Sequence, residues 1–281
     1  MRPRVLMGLV AGACWLALTA VPLVAQDPSS ERTAWNVQGL RRAFCVQFLL
    51  DSTARGLGSL PAGYHLVPAG RLQHLHPSLR SVVATQPGMA AWSPSRLCLY
   101  ALDSVRAPQF TLTNSKGRKP HLLAVWSVAA AADSGGAARD VALEVYASSG
   151  NMVRSARLVD QTMREGRLSV GLVPGEDEDG VPRTDRRFQA KLGSTTVTWD
   201  GHPAGDSTVV QGPVQATWLA DGTRGRKVTG RIALQPAFSR AMAGSLKIDG
   251  KGDLAKALRQ SPTRFAGPEY FEGAGVITLG H

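Results

Sequence analysis

The chain has 281 residues, 43% hydrophobic and 19% charged, with 32 lysines and arginines against 21 acidic residues and a formal net charge of +11. That length fits one large or two small domains and leaves ample chain for a hydrophobic core. The positive balance favours anionic neighbours, but the basic residues are scattered in ones and twos, which argues against nucleic acid, whose binders gather them on one face with aromatic residues between.

The chain opens on a basic flank, Arg2 and Arg4, followed by 21 uncharged residues from Val5 to Ala25. This order is that of a secretory signal, with Leu23-Val24-Ala25 as an imperfect cleavage site. A run near 20 residues is also long enough to span a bilayer. Gly8, Gly12 and Pro22, and the lack of a basic cluster after the run, favour a cleaved signal over a retained anchor. Cys14 does not read as a lipidation site, because Trp15-Leu16-Ala17-Leu18 after it is apolar rather than a polar tether. Without residues 1–25 the charge is +9.

Residues 26–32 form a polar, loose linker, and 33–281 an extracytoplasmic body. Ala43–Leu50 is apolar on both faces and rich in β-formers, which predicts a buried strand. Turns follow at Leu60-Pro61-Ala62-Gly63 and Val67-Pro68-Ala69-Gly70, then a short helix over Pro77–Thr85. Arg96–Asp103 and His121–Ala130 read as strands. Asp140–Tyr146 alternates as a strand, and Met152, Ala156, Val159 and Met163 make one helical stripe over Asn151–Arg164. With Arg167–Val173 resuming strand character, this predicts a β-α-β unit.

After an acidic loop the pattern becomes antiparallel. Two alternating runs flank Gly193-Ser194, a hairpin signal, and two more flank Asp221-Gly222. A strand at Ser245–Ile248, a helix at Asp253–Gln260 and a strand at Val276–Leu279 close the chain. The expected fold class is α+β: a β-rich mixed sheet with one β-α-β unit, an antiparallel meander and a few short helices, with a possible subdivision near 166–185.

Candidate sites are few. Cys45 and Cys98 each lie in a strand-like run, and in an oxidising compartment the pair is expected to form a disulfide. It closes a loop of about 50 residues, stabilising by roughly 3–4 kcal/mol; two buried free thiols are the alternative. Gly250-x-Gly252-x-x-Ala255 resembles a dinucleotide fingerprint, but too little chain follows it for a nucleotide-binding half, and a strand-to-helix turn capped by Asp253 explains the same residues. Gly175 to Gly180 resembles a calcium loop, yet Gly175 and Arg186 fall where carboxylates are needed. His65, His74 and His76 lie close in sequence without an evident third ligand.

No nucleophile elbow, His-Glu-x-x-His or Ser-x-x-Lys pattern occurs. His121 or His202 with Asp200 could serve a triad assembled through space, but nothing singles them out. The expectation is therefore no catalytic, cofactor or metal residues, and a non-catalytic extracytoplasmic binding or interaction protein directed at an anionic envelope component or a membrane-complex partner. The alternatives are an accessory subunit of a membrane complex held by an uncleaved N-terminal helix, and a secreted hydrolase.

Overall fold

The computed structural model describes residues 35–51, 60–74, 77–107, 110–113, 120–177, 179–204, 208–210, 214–222, 225–260 and 266–280. The signal or anchor of residues 1–25 and the linker 26–32 lie outside the described residues.

In chain order the strands are β1 (Trp35–Leu50), β2 (Tyr64–Leu66), β3 (Ser93–Ala107), β4 (Phe110–Thr113), β5 (His121–Ala132), β6 (Arg139–Ala147) and β7 (Arg164–Glu165). They continue with β8 (Arg167–Glu176), β9 (Pro182–Leu192), β10 (Thr195–Pro203), β11 (Thr208–Val210), β12 (Val214–Asp221), β13 (Lys227–Gly250) and β14 (Ala266–Gly280). Four short helices join them: α1 (Ala69–Leu72), α2 (Pro77–Thr85), α3 (Gly150–Ala156) and α4 (Asp253–Gln260).

Seven strands run in the order β12-β6-β5-β3-β1-β14-β13, and β13 pairs back onto β12, closing a barrel. Closure leaves the wall no free edge. The 24-residue β13 is shared. Its first part, Lys227–Leu234, pairs with β12, while Met242–Gly250 pairs with β10 and starts a second sheet, β13-β10-β9-β8. That sheet lies over the outside of β1, β3 and β5.

Alternation along the strands sorts the side chains. Cys45, Cys98, Tyr100, Leu123, Val125, Val145, Trp218, Ile232 and Ile277 belong to one buried cluster filling the barrel. Phe44, Val46, Phe48, Leu97, Leu99 and Ala124 form a second cluster with Phe188, Ala190, Val197 and Trp199 of the second sheet. Both faces of Ala43–Leu50 are therefore apolar because one faces the lumen and the other the second sheet. Helix α3 closes one end of the lumen with Met152, Val153 and Ala156. Leu72, Leu79 and Val83 of α1 and α2 cover Leu49, Ala129 and Ala131 at the other.

Cys45 and Cys98 are register partners on β1 and β3, joined at 2.05 Å between sulfurs. The bridge thus ties two neighbouring staves inside the barrel.

The expected α+β fold is corrected to this mostly-β closed barrel with extra strands. The stripe from Met152 to Met163 does not run as one helix: α3 ends at Ala156, a 3-10 turn spans Arg157–Val159, and Asp160 is left-handed at φ 56°. β8 does not return beside β6 but opens the second sheet; only the two-residue β7 pairs parallel with β6. The four residues of the stripe still pack together, because the lumen cluster collects them whatever the local helix type.

Candidate functional site

One cross-strand row organises the surface between the barrel and the second sheet. Tyr270 is opposite Phe44, Phe44 opposite Leu99, Leu99 opposite Ala124, and Ala124 opposite Tyr146. Val46 and Leu97 form the neighbouring row on the same face. Over this floor lie Phe188, Gln189, Ala190, Val197 and Trp199, leaving a narrow slot of about 20 Å³, room for about one water. Phe44 stacks on Phe188 with centroids 4.2 Å apart, and Trp199 tilts against Phe44 at 4.7 Å. Among the described residues the buried indole N–H of Trp199 has no acceptor. The slot is far smaller than a small-molecule pocket, which takes about 300–1,000 Å³, so here the second sheet packs directly on the barrel wall.

The mouth follows from the period of two. Arg42 is the next same-face residue beyond Phe44 on the floor, and Arg186 the next beyond Phe188 on the roof. Between them sits the Tyr270–Glu272 pair. The Tyr270 hydroxyl donates to Glu272 Oε1 at 2.5 Å and accepts from Arg186 Nη1 at 3.2 Å, while the Arg186 guanidinium lies 4.7 Å over the Tyr270 ring. Arg42 and Arg186 both approach Glu272 Oε1, at 3.8 and 3.9 Å. Tyr270 is buried while Glu272 and both arginines are partly exposed. Burial, and then the hydrogen bond to Glu272, push the Tyr270 phenol well above its ordinary range, so it stays protonated.

At the other end of the row a similar set recurs. Tyr146 donates to Glu144 at 3.3 Å, and Arg164 donates to the same carboxylate at 3.3 Å. Burial raises the Glu144 carboxyl, with Arg164 and Tyr146 opposing the shift. In both sets the Tyr and Glu are two apart on one strand, so they share a face.

The lumen carries one polar layer. Arg96 and Asp140 form an ion pair below Tyr100. Burial raises the Asp140 carboxyl against the pull of Arg96, and burial pushes Tyr100 up to about 12.

The structure disperses the residues singled out in the sequence. Asp200 is held by Arg187 through two bonds of 2.7 and 2.6 Å, while His202 Nδ1 stands 3.8 Å from Asp185. His121 begins β5, where burial lowers its imidazole. His65 bonds Asp133 at 2.9 Å, His74 is exposed, and His76 lies outside the described residues. No group of three metal-ligating side chains converges among the described residues. In the acidic loop Asp177 accepts from the backbone N–H of Asp179 and Val181, as a turn carboxylate does. Gly250 and Gly252 fit close packing: a Cβ at Gly250 would fall 1.9 Å from the Ser194 carbonyl oxygen, and at Gly252 2.2 Å from Thr195 Oγ1.

Sequence reasoning missed Tyr270, Glu272, Arg42 and Arg186. Their only sequence signals are Tyr-x-Glu at 270–272 and Glu-x-Tyr at 144–146. These patterns acquire meaning only when five strands line up.

No known protein family matches the sequence, and no curated protein matches it. Among solved structures, the chain is similar to acetoacetate decarboxylase from Legionella pneumophila at 10% identity, covering 88% of this chain and 85% of that one, with a TM-score of 0.47. It is also similar to MppR, an enduracididine biosynthesis enzyme, at 10% identity, 92% and 91% coverage and a TM-score of 0.45. An acetoacetate decarboxylase-like enzyme from Sphingomonas wittichii shares 8% identity over 88% and 90%, with a TM-score of 0.46. All three are enzymes. The expectation of a non-catalytic binding or interaction protein is corrected to an enzyme-like fold, a likeness of fold alone. No activity or residue role passes to this chain at such identities.

Proposed function

We propose that the chain is an acid–base enzyme acting at the Tyr270–Glu272 pair on a small carbonyl-bearing substrate that arrives from solvent. The observation that carries this reading is the buried Tyr270 hydroxyl donating at 2.5 Å to Glu272 beside apolar walls. On binding, the single Tyr270 proton turns from Glu272 to an oxygen on which charge develops, and the Glu272 carboxylate so released takes the proton α to that carbonyl. Arg186, stacked on Tyr270, adds positive charge near the developing oxyanion. Glu272 is partly exposed, which gives the proton a way to solvent.

The test is α-proton exchange in deuterium oxide, followed by proton NMR on a panel of small ketones and keto acids. The wild-type protein is expected to exchange the α-protons of at least one class faster than buffer. Glu272→Gln should abolish this, and Tyr270→Phe should slow it by about 10²–10³-fold, the usual cost of one oxyanion donor. Exchange that survives in Glu272→Gln would sink the reading.

We propose also that the protein works outside the cytoplasm. The uncharged run from Val5 to Ala25 supports this, as does the Cys45–Cys98 disulfide, a bond that persists in oxidising compartments.

A further inference from the structure

We infer that the end of the barrel closed by α3 is a docking surface for an anionic lipid membrane. The inference is independent of the chemistry proposed for Tyr270 and Glu272.

Three observations carry it. The first is where the chain enters the fold. Leu49, near the end of β1, lies under α1 and α2, whereas Val37, near its start, belongs to the lumen cluster with Met152, Val153 and Val159. The chain before Trp35 therefore leaves the barrel at the α3 end. Nine residues, 26–34, separate it in sequence from the uncharged run Val5–Ala25, a reach of about 30 Å at full extension. Any membrane that this run enters, as export signal or as anchor, lies on the α3 side of the barrel.

The second is the surface at that end. Met152, Val153, Ser155 and Ala156 are buried, while Arg154, Arg157 and Leu158, at i, i+3 and i+4, are exposed on the outward side, Leu158 at 61%. Arg154 donates to the neutral amide of Asn151, which leaves its charge uncancelled there. Arg226, 65% exposed, comes from the β12–β13 turn, whose Gly222 bridges to Gln161. It stands 3.9 Å from Asp160, a carboxylate only 12% exposed. An exposed leucine beside exposed guanidiniums suits an anionic interface: the apolar side chain enters the acyl boundary and the arginines stay with the phosphates.

The third is the contrast with the rest of the surface. The α1/α2 end exposes Arg71 and Arg80 but none of the exposed large apolar side chains among the described residues, which are Leu158, Leu172, Val181 and Phe238. Phe238 is the register partner of Glu272, and Val181 follows the acidic loop. Leu158 is the one flanked by exposed arginines on its own turn.

The experiment uses the exported, oxidised protein and two kinds of vesicle, phosphatidylcholine alone and phosphatidylcholine mixed with phosphatidylglycerol. Co-sedimentation gives the affinity, and amide hydrogen exchange gives the footprint. Mixed vesicles are expected to bind the protein and to slow exchange across residues 150–160, leaving α1 and α2 unchanged. In Arg154→Gln/Arg157→Gln/Leu158→Ser the affinity should fall at least about tenfold, since each arginine near an anionic surface is worth about fivefold. Val181→Ser should bind as the wild type does. No binding to mixed vesicles would overturn the inference, as would a triple variant bound as tightly as the wild type. So would a footprint on α1 and α2, or one equal on both kinds of vesicle. If residues 5–25 are retained and the protein sediments with either vesicle, the footprint decides. Circular dichroism checks the fold of the triple variant; if it is unfolded, the wild-type footprint decides alone.

Discussion

Phe44, on the outer wall of the barrel, stacks on Phe188 of the second sheet with centroids 4.2 Å apart and planes inclined by 9°. Phe188 also lies 5.6 Å from Trp199 and 6.1 Å from Tyr270. Four aromatic rings thus join the second sheet to the barrel at the point where the slot begins.

Removing the central ring tests that joint. Phe188→Ala is expected to cost about 3–5 kcal/mol, the range for truncating a buried aromatic. Urea unfolding followed by tryptophan fluorescence measures it. A loss below about 1 kcal/mol, a level usual for surface changes, would show that the second sheet is held by something else.

Inside the barrel, Gly230 is opposite Trp218 and admits its ring; a Cβ there would fall 2.1 Å from it. Gly230→Ala must therefore displace the indole. It should lower stability by about 1–3 kcal/mol, as overpacking does, and shift the Trp218 emission. An unchanged melting temperature and spectrum would contradict the tight approach.

The Cys45–Cys98 bridge spans 53 positions. On the chain-entropy model a loop of that size is worth about 4 kcal/mol. Cys45→Ala/Cys98→Ala is expected to lose about that much relative to the oxidised wild type in guanidinium unfolding. A double variant as stable as the wild type would mean that the packed lumen alone sets the strand register.

The pH prediction concerns Tyr100, whose phenol is raised by burial from 10.0 to about 12. With the folded value above the unfolded one, its contribution is fully present below pH 10 and is lost as pH rises towards 12. Tyr100→Phe should flatten the alkaline loss of stability between pH 10 and 12. It should also remove one late-titrating phenol from the absorbance change at 295 nm. If the late step keeps its amplitude, Tyr100 is not among the late-titrating phenols.

Much of the local structure was legible. The alternating runs around Gly193-Ser194 are the hairpin of β9 and β10, and Pro77–Thr85 and Asp253–Gln260 are helices at those bounds. These features depend on residues within a few positions of each other, where turn chemistry, proline and periodicity act directly. The run from Asn151 to Arg164 misled, because a stripe at helical spacing does not say where the left-handed Asp160 stops the helix.

What the chain order alone determined is its punctuation: strands that are apolar on both faces, turns, short helices, and a pair of cysteines in strands. Only the tertiary structure decided that β13 returns to β12 and shuts the barrel, or that its continuation carries a second sheet across the outer wall. Only it placed Arg42 and Arg186, 144 positions apart in sequence, on one carboxylate. The reason is physical. Periodicity reports which face of a strand is buried, not which strand lies beside it or what covers it. Tyr270 and Tyr146 bracket one row of side chains because five strands pair in one register, and that register is set by packing on both faces of the wall.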